Sequence, residues 1–254
     1  MTGLGALLRE GVTATIQDRR GLLIFALPAA VFMALAWTAA DRFADRAALI
    51  TVLVELCLAY VAFFWQRRYL MGHDEAAPEG EARREQQREI NRLAGRYVGR
   101  AAVFFLTIVV LALMLAFPLF APFLREDDPD TVLVFLVILV LVVAALLLAG
   151  ARFLLAFPAC ASGTRMGWGD AWRLGRGHGL SLGFVVLLFS APAVLFAVAY
   201  ALLAPLTWQE TVAGQLLLDS VVAVLRIGGM FMALVSAAYL YRQLTPTVDA
   251  DAFS

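Results

Sequence analysis

The stretch that decides the fold is Val132–Ala149, which reads VLVFLVILVLVVAALLLA and contains no polar side chain. A helix of about 20 mostly apolar residues crosses a bilayer core, so this stretch and its flanking residues predict a membrane span. Five further stretches have the same character. The six predicted spans are residues 21–40, 47–65, 101–124, 131–151, 181–206 and 216–241. The expected fold is all-α, a polytopic transmembrane bundle of six helices that forms one membrane domain over residues 1–254.

The composition excludes most other classes of protein. Hydrophobic residues make up 62% of the chain and charged residues 16%, whereas a soluble domain has about 45–50% and 25%. None of the six stretches alternates between apolar and polar residues, which excludes a barrel. The net charge is zero, which gives no reason to expect a nucleic-acid partner. The two cysteines, Cys57 and Cys160, lie far apart in apolar stretches and predict neither a disulfide nor a zinc site.

The distribution of arginine predicts the orientation, since cytoplasmic loops carry an excess of basic residues. All twenty basic residues are arginine. Sixteen lie in segments on one side of the six predicted spans, three lie on the other side, and Arg226 lies inside a span. Both termini are therefore expected in the cytoplasm. A cleaved signal peptide is the competing interpretation of the first span, but its long apolar run, 20 residues into the chain, favours a retained span.

Three amphipathic segments are expected to lie at the membrane interface, near residues 4–17, 80–99 and 164–176. The first has an apolar stripe at helical spacing, formed by Leu4, Leu7, Leu8, Val12 and Ile16. In the last span, Gly229, Ala233 and Ala237 recur at four-residue steps, a pattern that predicts close helix packing. Pro192 is expected to kink the fifth span and to free a carbonyl group.

Three charged residues lie within predicted spans: Glu55, Asp219 and Arg226. Glu55 and Arg226 are at similar depths, about 12 and 15 Å from the same membrane face at 1.5 Å per residue. We therefore predict a Glu55–Arg226 ion pair, with Asp219 sharing the guanidinium. Two interpretations remain open, a proton or substrate path and a structural pair that fixes the register of two helices.

A basic stripe precedes the third span, where Arg84, Arg88, Arg92, Arg96 and Arg100 recur every four residues. Together with Arg173 and Arg176 near the fifth span, these side chains are candidates for contacts with anionic lipid head groups. A solvated face that only determines topology is the alternative for the stripe. A plain interfacial turn is the alternative for the glycine-rich segment 175–179.

The residues of three segments resemble a known family. Arg152–Ala159 (RFLLAFPA), Ala171–Gly177 (AWRLGRG) and Trp65–Gly72 (WQRRYLMG) are similar to the membrane domain associated with glycerophosphoryl diester phosphodiesterases, and to related stand-alone six-helix bacterial proteins. In the fused enzymes a separate soluble barrel carries the catalytic residues and the metal, and this chain has no such segment. The resemblance implies a multi-pass module in the bacterial inner membrane.

Motifs of known enzymes are absent from the sequence, including HExxH, GxSxG, the P-loop and CxxC. We therefore expect no catalytic residue, no cofactor and no metal. The expected function is a non-enzymatic membrane protein that supports membrane or envelope complex organisation and contacts anionic phospholipid. Its expected partners are the lipid bilayer and another membrane protein or a second copy of the chain. The alternative is a small-solute or lipid transporter that uses Glu55, Asp219 and Arg226.

Overall fold

The computed structural model describes residues 3–72, 81–120, 130–203 and 211–245, and their regular structure is helical throughout. The described ranges contain ten α-helices: α1 (Leu4–Gln17), α2 (Arg19–Gly21), α3 (Leu27–Arg42), α4 (Ala47–Met71), α5 (Glu81–Phe120), α6 (Asp130–Gly150), α7 (Ala156–Ala161), α8 (Trp168–Leu174), α9 (Gly179–Leu203) and α10 (Val212–Leu244). A π-helical turn, Leu22–Ala26, joins α2 to α3, and 3₁₀ turns precede α4 (Ala44–Arg46) and α7 (Ala151–Leu155).

Among the residues that the structure describes, six helical segments are long and apolar enough to cross a membrane. They are Arg19–Ala40, Ala47–Met71, Arg83–Leu119, Val137–Ala161, Gly179–Tyr200 and Val212–Leu244. Each overlaps one of the six predicted spans, so the predicted fold class, an all-α bundle of six long apolar helices, is confirmed.

The third span differs from the prediction. Residues 81–120 form one continuous helix of 40 residues, not an interfacial helix near 80–99 followed by a separate span at 101–124. No proline interrupts the sequence between the two segments, so nothing ends the helix there. At 1.5 Å per residue α5 is about 60 Å long, roughly twice the thickness of a bilayer core. About half of α5 therefore extends beyond the membrane.

The segment between the fourth and fifth spans is compact. A buried run, Ala151 and Leu155–Ala161, packs against Leu93, Ala94 and Tyr97 of α5. The interfacial helix expected at 164–176 is shorter, since α8 covers only Trp168–Leu174. Gly163, with φ of +85°, turns the chain between α7 and α8, a conformation that favours glycine.

The C-terminal helix α10 is the centre of the bundle, because it packs against α1, α3, α4 and α9. Its residues Ala223, Ile227, Phe231 and Val235 are buried against α3 and α4. The Phe231 ring stacks on Trp65 at a centroid distance of 4.2 Å. Farther along, Ala237, Ala238, Leu240 and Tyr241 join a second core with α7 and α5.

A polar network lies inside the second core. Gln66 of α4 is fully buried, and its Nε2 donates to the Leu234 carbonyl of α10 at 3.0 Å. The Tyr97 hydroxyl of α5 donates to Gln66 Oε1, also at 3.0 Å. Three helices are thus joined through one amide. Buried hydrogen bonds of this kind are costly to break, because the groups left behind have no water to replace the partner.

Helix α1 is held against α10 and α9 by small residues. Its buried residues are Leu7, Gly11 and Thr15. The Ser236 hydroxyl of α10 lies 2.8 Å from the Leu7 carbonyl oxygen and 2.9 Å from the Met232 carbonyl oxygen, so its single proton is shared between two acceptors. A Cβ at Gly11 would lie 2.4 Å from Ser236 Oγ, so only glycine fits this contact. The range predicted for the first helix agrees with the structure. Of its predicted apolar stripe, Leu7 packs into the bundle, but Leu4, Val12 and Ile16 remain exposed.

Polar contacts also fix the end of α1. Tyr69 donates to Glu10 Oε1 at 2.8 Å. Arg68 binds Asp18 with two nitrogens, Nε at 2.6 Å from Oδ2 and Nη2 at 3.1 Å from Oδ1. The same carboxylate accepts a hydrogen bond from Gly21 N. The bidentate geometry is the strong form of an arginine–carboxylate pair, so α1 is part of the bundle as well as amphipathic.

Candidate functional site

The Glu55–Arg226 contact predicted from depth is present. Arg226 of α10 donates to Glu55 Oε1 of α4 and forms an ion pair with it. The Arg226 side chain is 36% exposed and that of Glu55 is 22% exposed. The Trp37 ring of α3 covers the guanidinium, with its centroid 5.4 Å from Cζ. A cation over an aromatic face is stabilised by the ring quadrupole, so Arg226 is held by α3 and α4 together.

Asp219 is tied to a different residue. Thr38 Oγ1 of α3 lies 2.8 Å from Asp219 Oδ2 and 3.0 Å from the Ala34 carbonyl oxygen, so its single proton is shared between two acceptors. Sharing of the Arg226 guanidinium by Asp219 stays a prediction. We call Thr38, Glu55, Asp219 and Arg226 the charge cluster. The charge cluster joins α3, α4 and α10. This arrangement is compatible both with a proton or substrate path and with a structural pair.

A cavity of about 550 Å³ lies where α5 passes the α7–α8 segment. We call it the arginine pocket. Its lining residues are Arg92, Leu93, Arg96, Arg100, Cys160, Gly163, Thr164, Arg165, Met166 and Gly167. Four of them are arginine and none of the described lining residues is acidic. The volume falls within the range of small-molecule sites, and the charge of its walls favours an anion.

The Arg100 side chain holds the two walls of the pocket together through hydrogen bonds. Its Nη1 donates to the Ala156 carbonyl at 3.0 Å and its Nη2 to the Met166 carbonyl at 2.7 Å. Arg67 of α4 donates in the same way to the Ala161 carbonyl, at 3.1 Å. The Ala161 carbonyl lies at the C-terminus of α7, where carbonyls carry partial negative charge and favour such a cation. Arg100 therefore fixes residues 156–166 against α5 and adds its charge to the wall.

The other three arginines are not neutralised. Arg92, Arg96 and Arg165 are exposed and form neither ion pairs nor hydrogen bonds with any residue of the described ranges. Arg92 and Arg96 are one turn apart on α5, so they occupy one face of that helix. Arg165 comes from the loop that forms the other wall. The pocket thus presents three uncommitted guanidinium groups from two sides.

Local hydrogen bonds shape the loop wall. Ser162 Oγ donates to the Ala159 carbonyl at 3.0 Å and lies 3.2 Å from Thr164 Oγ1. Gly167 N donates to Asp170 Oδ2 at 3.1 Å. The pKa of the Asp170 carboxyl lies below its usual range, mainly because Arg173 donates a hydrogen bond to it. The hydrogen bond from the Gly167 N–H is the second cause. Asp170 therefore stays ionised at neutral pH and keeps Arg173 occupied.

Some of the arginines predicted to contact lipid line the arginine pocket, and the others lie outside it. Arg92, Arg96 and Arg100 line the pocket, and Arg165, which the sequence analysis missed, joins them. Arg84 and Arg88 lie on the exposed first turns of α5, outside the set of lining residues. Arg173 pairs with Asp170 at 2.6 Å, and Arg176 is exposed on the glycine-rich turn.

The glycine-rich turn packs over Arg152. A Cβ at Gly179 would lie 2.7 Å from Arg152 Cγ, and a Cβ at Gly175 would lie 3.0 Å from Arg152 Cβ. The Arg152 guanidinium lies over the Trp172 ring, 4.6 Å from its centroid. Close packing on an arginine side chain explains these two glycines, and the interfacial position of the turn stays a prediction.

Pro192 lies inside the continuous helix α9. Because proline has no N–H, the carbonyl group four residues earlier, at Leu188, loses its helical partner. The kink expected there stays a prediction. Near this position α9 approaches α10 at Gly229, where a Cβ would lie only 2.0 Å from the Phe189 carbonyl oxygen.

Comparison with protein-family models, with curated proteins and with solved structures finds no match to this chain.

Proposed function

We propose that this chain is a non-enzymatic protein of the bacterial inner membrane that binds the head groups of anionic phospholipids in the arginine pocket, and in this way supports the organisation of membrane or envelope complexes. The observation that carries the proposal is the group of three uncommitted arginines around a cavity whose described walls hold no acid. The pocket adjoins Cys160, at the end of the span Val137–Ala161, where lipid head groups would lie.

Lipid retention tests this function. Arg92→Gln/Arg96→Gln removes two charges from the pocket, and we expect purified protein to lose most of its copurified anionic phospholipid, because charge-assisted contacts to phosphate are lost. Arg84→Gln/Arg88→Gln removes the same charge from the same helix outside the pocket and should retain the lipid. The measurement is lipid mass spectrometry after purification from native membranes in mild detergent. Equal lipid content in both double variants would contradict the proposal.

We propose that both termini and the arginine pocket face the cytoplasm. Supporting this orientation, the arginine-rich stretches of the sequence at residues 9–20, 67–100 and 152–176 all fall on one side of the six spans.

Cysteine labelling tests the orientation. In a chain whose native cysteines are replaced by alanine, cysteines introduced by Asp127→Cys or Glu210→Cys, both outside the described residues, should react with an impermeant reagent added to intact cells. A cysteine introduced by Glu85→Cys, on the exposed start of α5, should react only after permeabilisation. The reverse pattern would overturn the topology.

The second candidate is a small-solute or lipid transporter that uses the charge cluster. The observation in its favour is that Thr38, Glu55, Asp219 and Arg226 join three helices inside spans. A transported solute would have to compete with the existing Glu55–Arg226 pair and pass Trp37. The cavity at Arg92–Arg100 and a second cavity beside Asp18 and Arg68 both lie away from the charge cluster. This is why head-group binding is the leading proposal.

A further inference from the structure

We infer that the arginine pocket takes a phosphomonoester, a group with a terminal phosphate, in preference to the phosphodiester of common anionic lipids. The inference rests on the proposed head-group binding and specifies its chemistry. It starts from the charge of the walls, which hold four guanidinium groups and no carboxylate among the described lining residues. A phosphodiester brings one negative charge, whereas a phosphomonoester brings about −1.5 to −2 at pH 7 and three terminal oxygens.

The placement of the arginines fits three oxygens better than two. Arg92 and Arg96 approach from α5, and Arg165 approaches from the loop on the other wall. Each guanidinium is a planar fork that can bind two oxygens of one phosphate. Because none of the three has a partner among the described residues, all are available to the ligand. A diester would leave part of this charge unmatched.

The loop adds backbone donors. The N–H groups of Thr164, Arg165 and Met166 donate no hydrogen bond to any part of the chain that the structure describes, and these three residues line the cavity. Successive free N–H groups and guanidinium groups are complementary to a phosphate with several terminal oxygens. At about 550 Å³ the pocket also has room for the group esterified to that phosphate.

The pH dependence of binding separates the two ligand classes. Arginine as a residue type is charged at every physiological pH. Asp170 accepts hydrogen bonds from Arg173 and from the Gly167 N–H at the edge of the loop, which hold its pKa below the usual range. A phosphomonoester loses its second proton near pH 6, so its charge grows as the pH rises. Its affinity should therefore increase between pH 5 and 7.5, while that of a diester stays constant.

The experiment measures binding of water-soluble lipids to the full chain in neutral detergent at fixed low salt. The probes are dihexanoyl phosphatidate, a monoester, and dihexanoyl phosphatidylglycerol, a diester. At pH 7.5 we expect phosphatidate to bind about tenfold more tightly, and at pH 5 the two affinities should converge. Arg92→Gln/Arg96→Gln should abolish the preference, as should Arg165→Gln on the opposite wall, while Arg84→Gln/Arg88→Gln should keep it.

Each failure has its own signature. Equal, pH-independent affinities for the two lipids, both lost in Arg92→Gln/Arg96→Gln, would overturn the phosphomonoester inference and leave anionic-lipid binding in place. Affinities that do not change in that variant, or that fall equally in Arg84→Gln/Arg88→Gln, would overturn both. Glycerol 3-phosphate separates two sources of the same chemistry. If it displaces phosphatidate at equal concentration, the ligand is a soluble phosphate ester, and if it does not, the ligand is a lipid.

Discussion

Replacing Gly229 with alanine is expected to destabilise the bundle more than the same change at Gly11 or Gly21, where the nearest atoms are side-chain oxygens. A Cβ there would lie 2.0 Å from the carbonyl oxygen of Phe189 and 2.9 Å from its carbonyl carbon. Both atoms belong to the backbone of α9, so no side-chain rotation relieves the clash. The helices must separate along a crossing that also buries Phe189. We expect a loss of about 3 kcal/mol, at the upper end of overpacking effects.

The neighbouring residue provides the control. Gly228 is on the same turn of α10, and a Cβ there would meet nothing within 4 Å. Gly228→Ala should leave stability unchanged or raise it by up to about 1 kcal/mol, because alanine favours the helix. Thermal unfolding in detergent, followed by circular dichroism, measures both variants. Equal melting temperatures for the two would show that the α9–α10 approach is looser than the structure has it.

Glu55→Gln is expected to have the second largest effect, because it leaves the Arg226 guanidinium without its counter-charge inside a span. An unpaired arginine at mid-helix costs about 2.5–3.5 kcal/mol on insertion scales, and the protein should lose a large part of that amount. Adding Arg226→Gln removes the stranded charge. The double variant should therefore be more stable than Glu55→Gln alone.

Thermal unfolding in the same detergent tests this cycle, with Glu89→Gln on the exposed part of α5 as a control expected to leave the melting temperature unchanged. Recovery in the double variant would identify the pair as structural. A double variant as unstable as the sum of the two single variants would mean that Glu55 and Arg226 are not coupled, contrary to the contact observed between them.

The six long helices could be predicted because their length and composition follow from the thickness of the bilayer. The error at residues 80–124 has a simple cause. An amphipathic pattern looks the same whether the helix lies on the membrane or continues into it, and neither Gly95 nor Gly99 is enough to end α5. The buried face of α1 was harder to predict than its length. Leu7 follows the apolar stripe, but Gly11 is buried because Ser236, far away in sequence, packs there, and Thr15 is buried as well.

In the two sites as well, residues placed by depth or local spacing could be predicted, and those placed by tertiary contacts could not. The Glu55–Arg226 pair could be predicted from depth alone, because the depth of each residue below the membrane surface can be counted along its span and compared between spans. The four-residue spacing of Arg92, Arg96 and Arg100 placed them on one face of α5. Arg165 could not be found in this way. It reaches the pocket through a turn at Gly163 and through the bonds of Arg100 to two backbone carbonyls, contacts that no local pattern records.

The packing of α1 against α10 has a consequence for biosynthesis. The hydrogen bond between Leu7 and Ser236 joins residues 229 positions apart. At 5–20 residues per second, the ribosome needs roughly 10–50 s to make the intervening chain. Throughout that interval α1 has been synthesised and its partner has not. Its exposed apolar side chains, Leu4, Val12 and Ile16, give the waiting helix a way to rest on the membrane surface until α10 is inserted and completes the bundle.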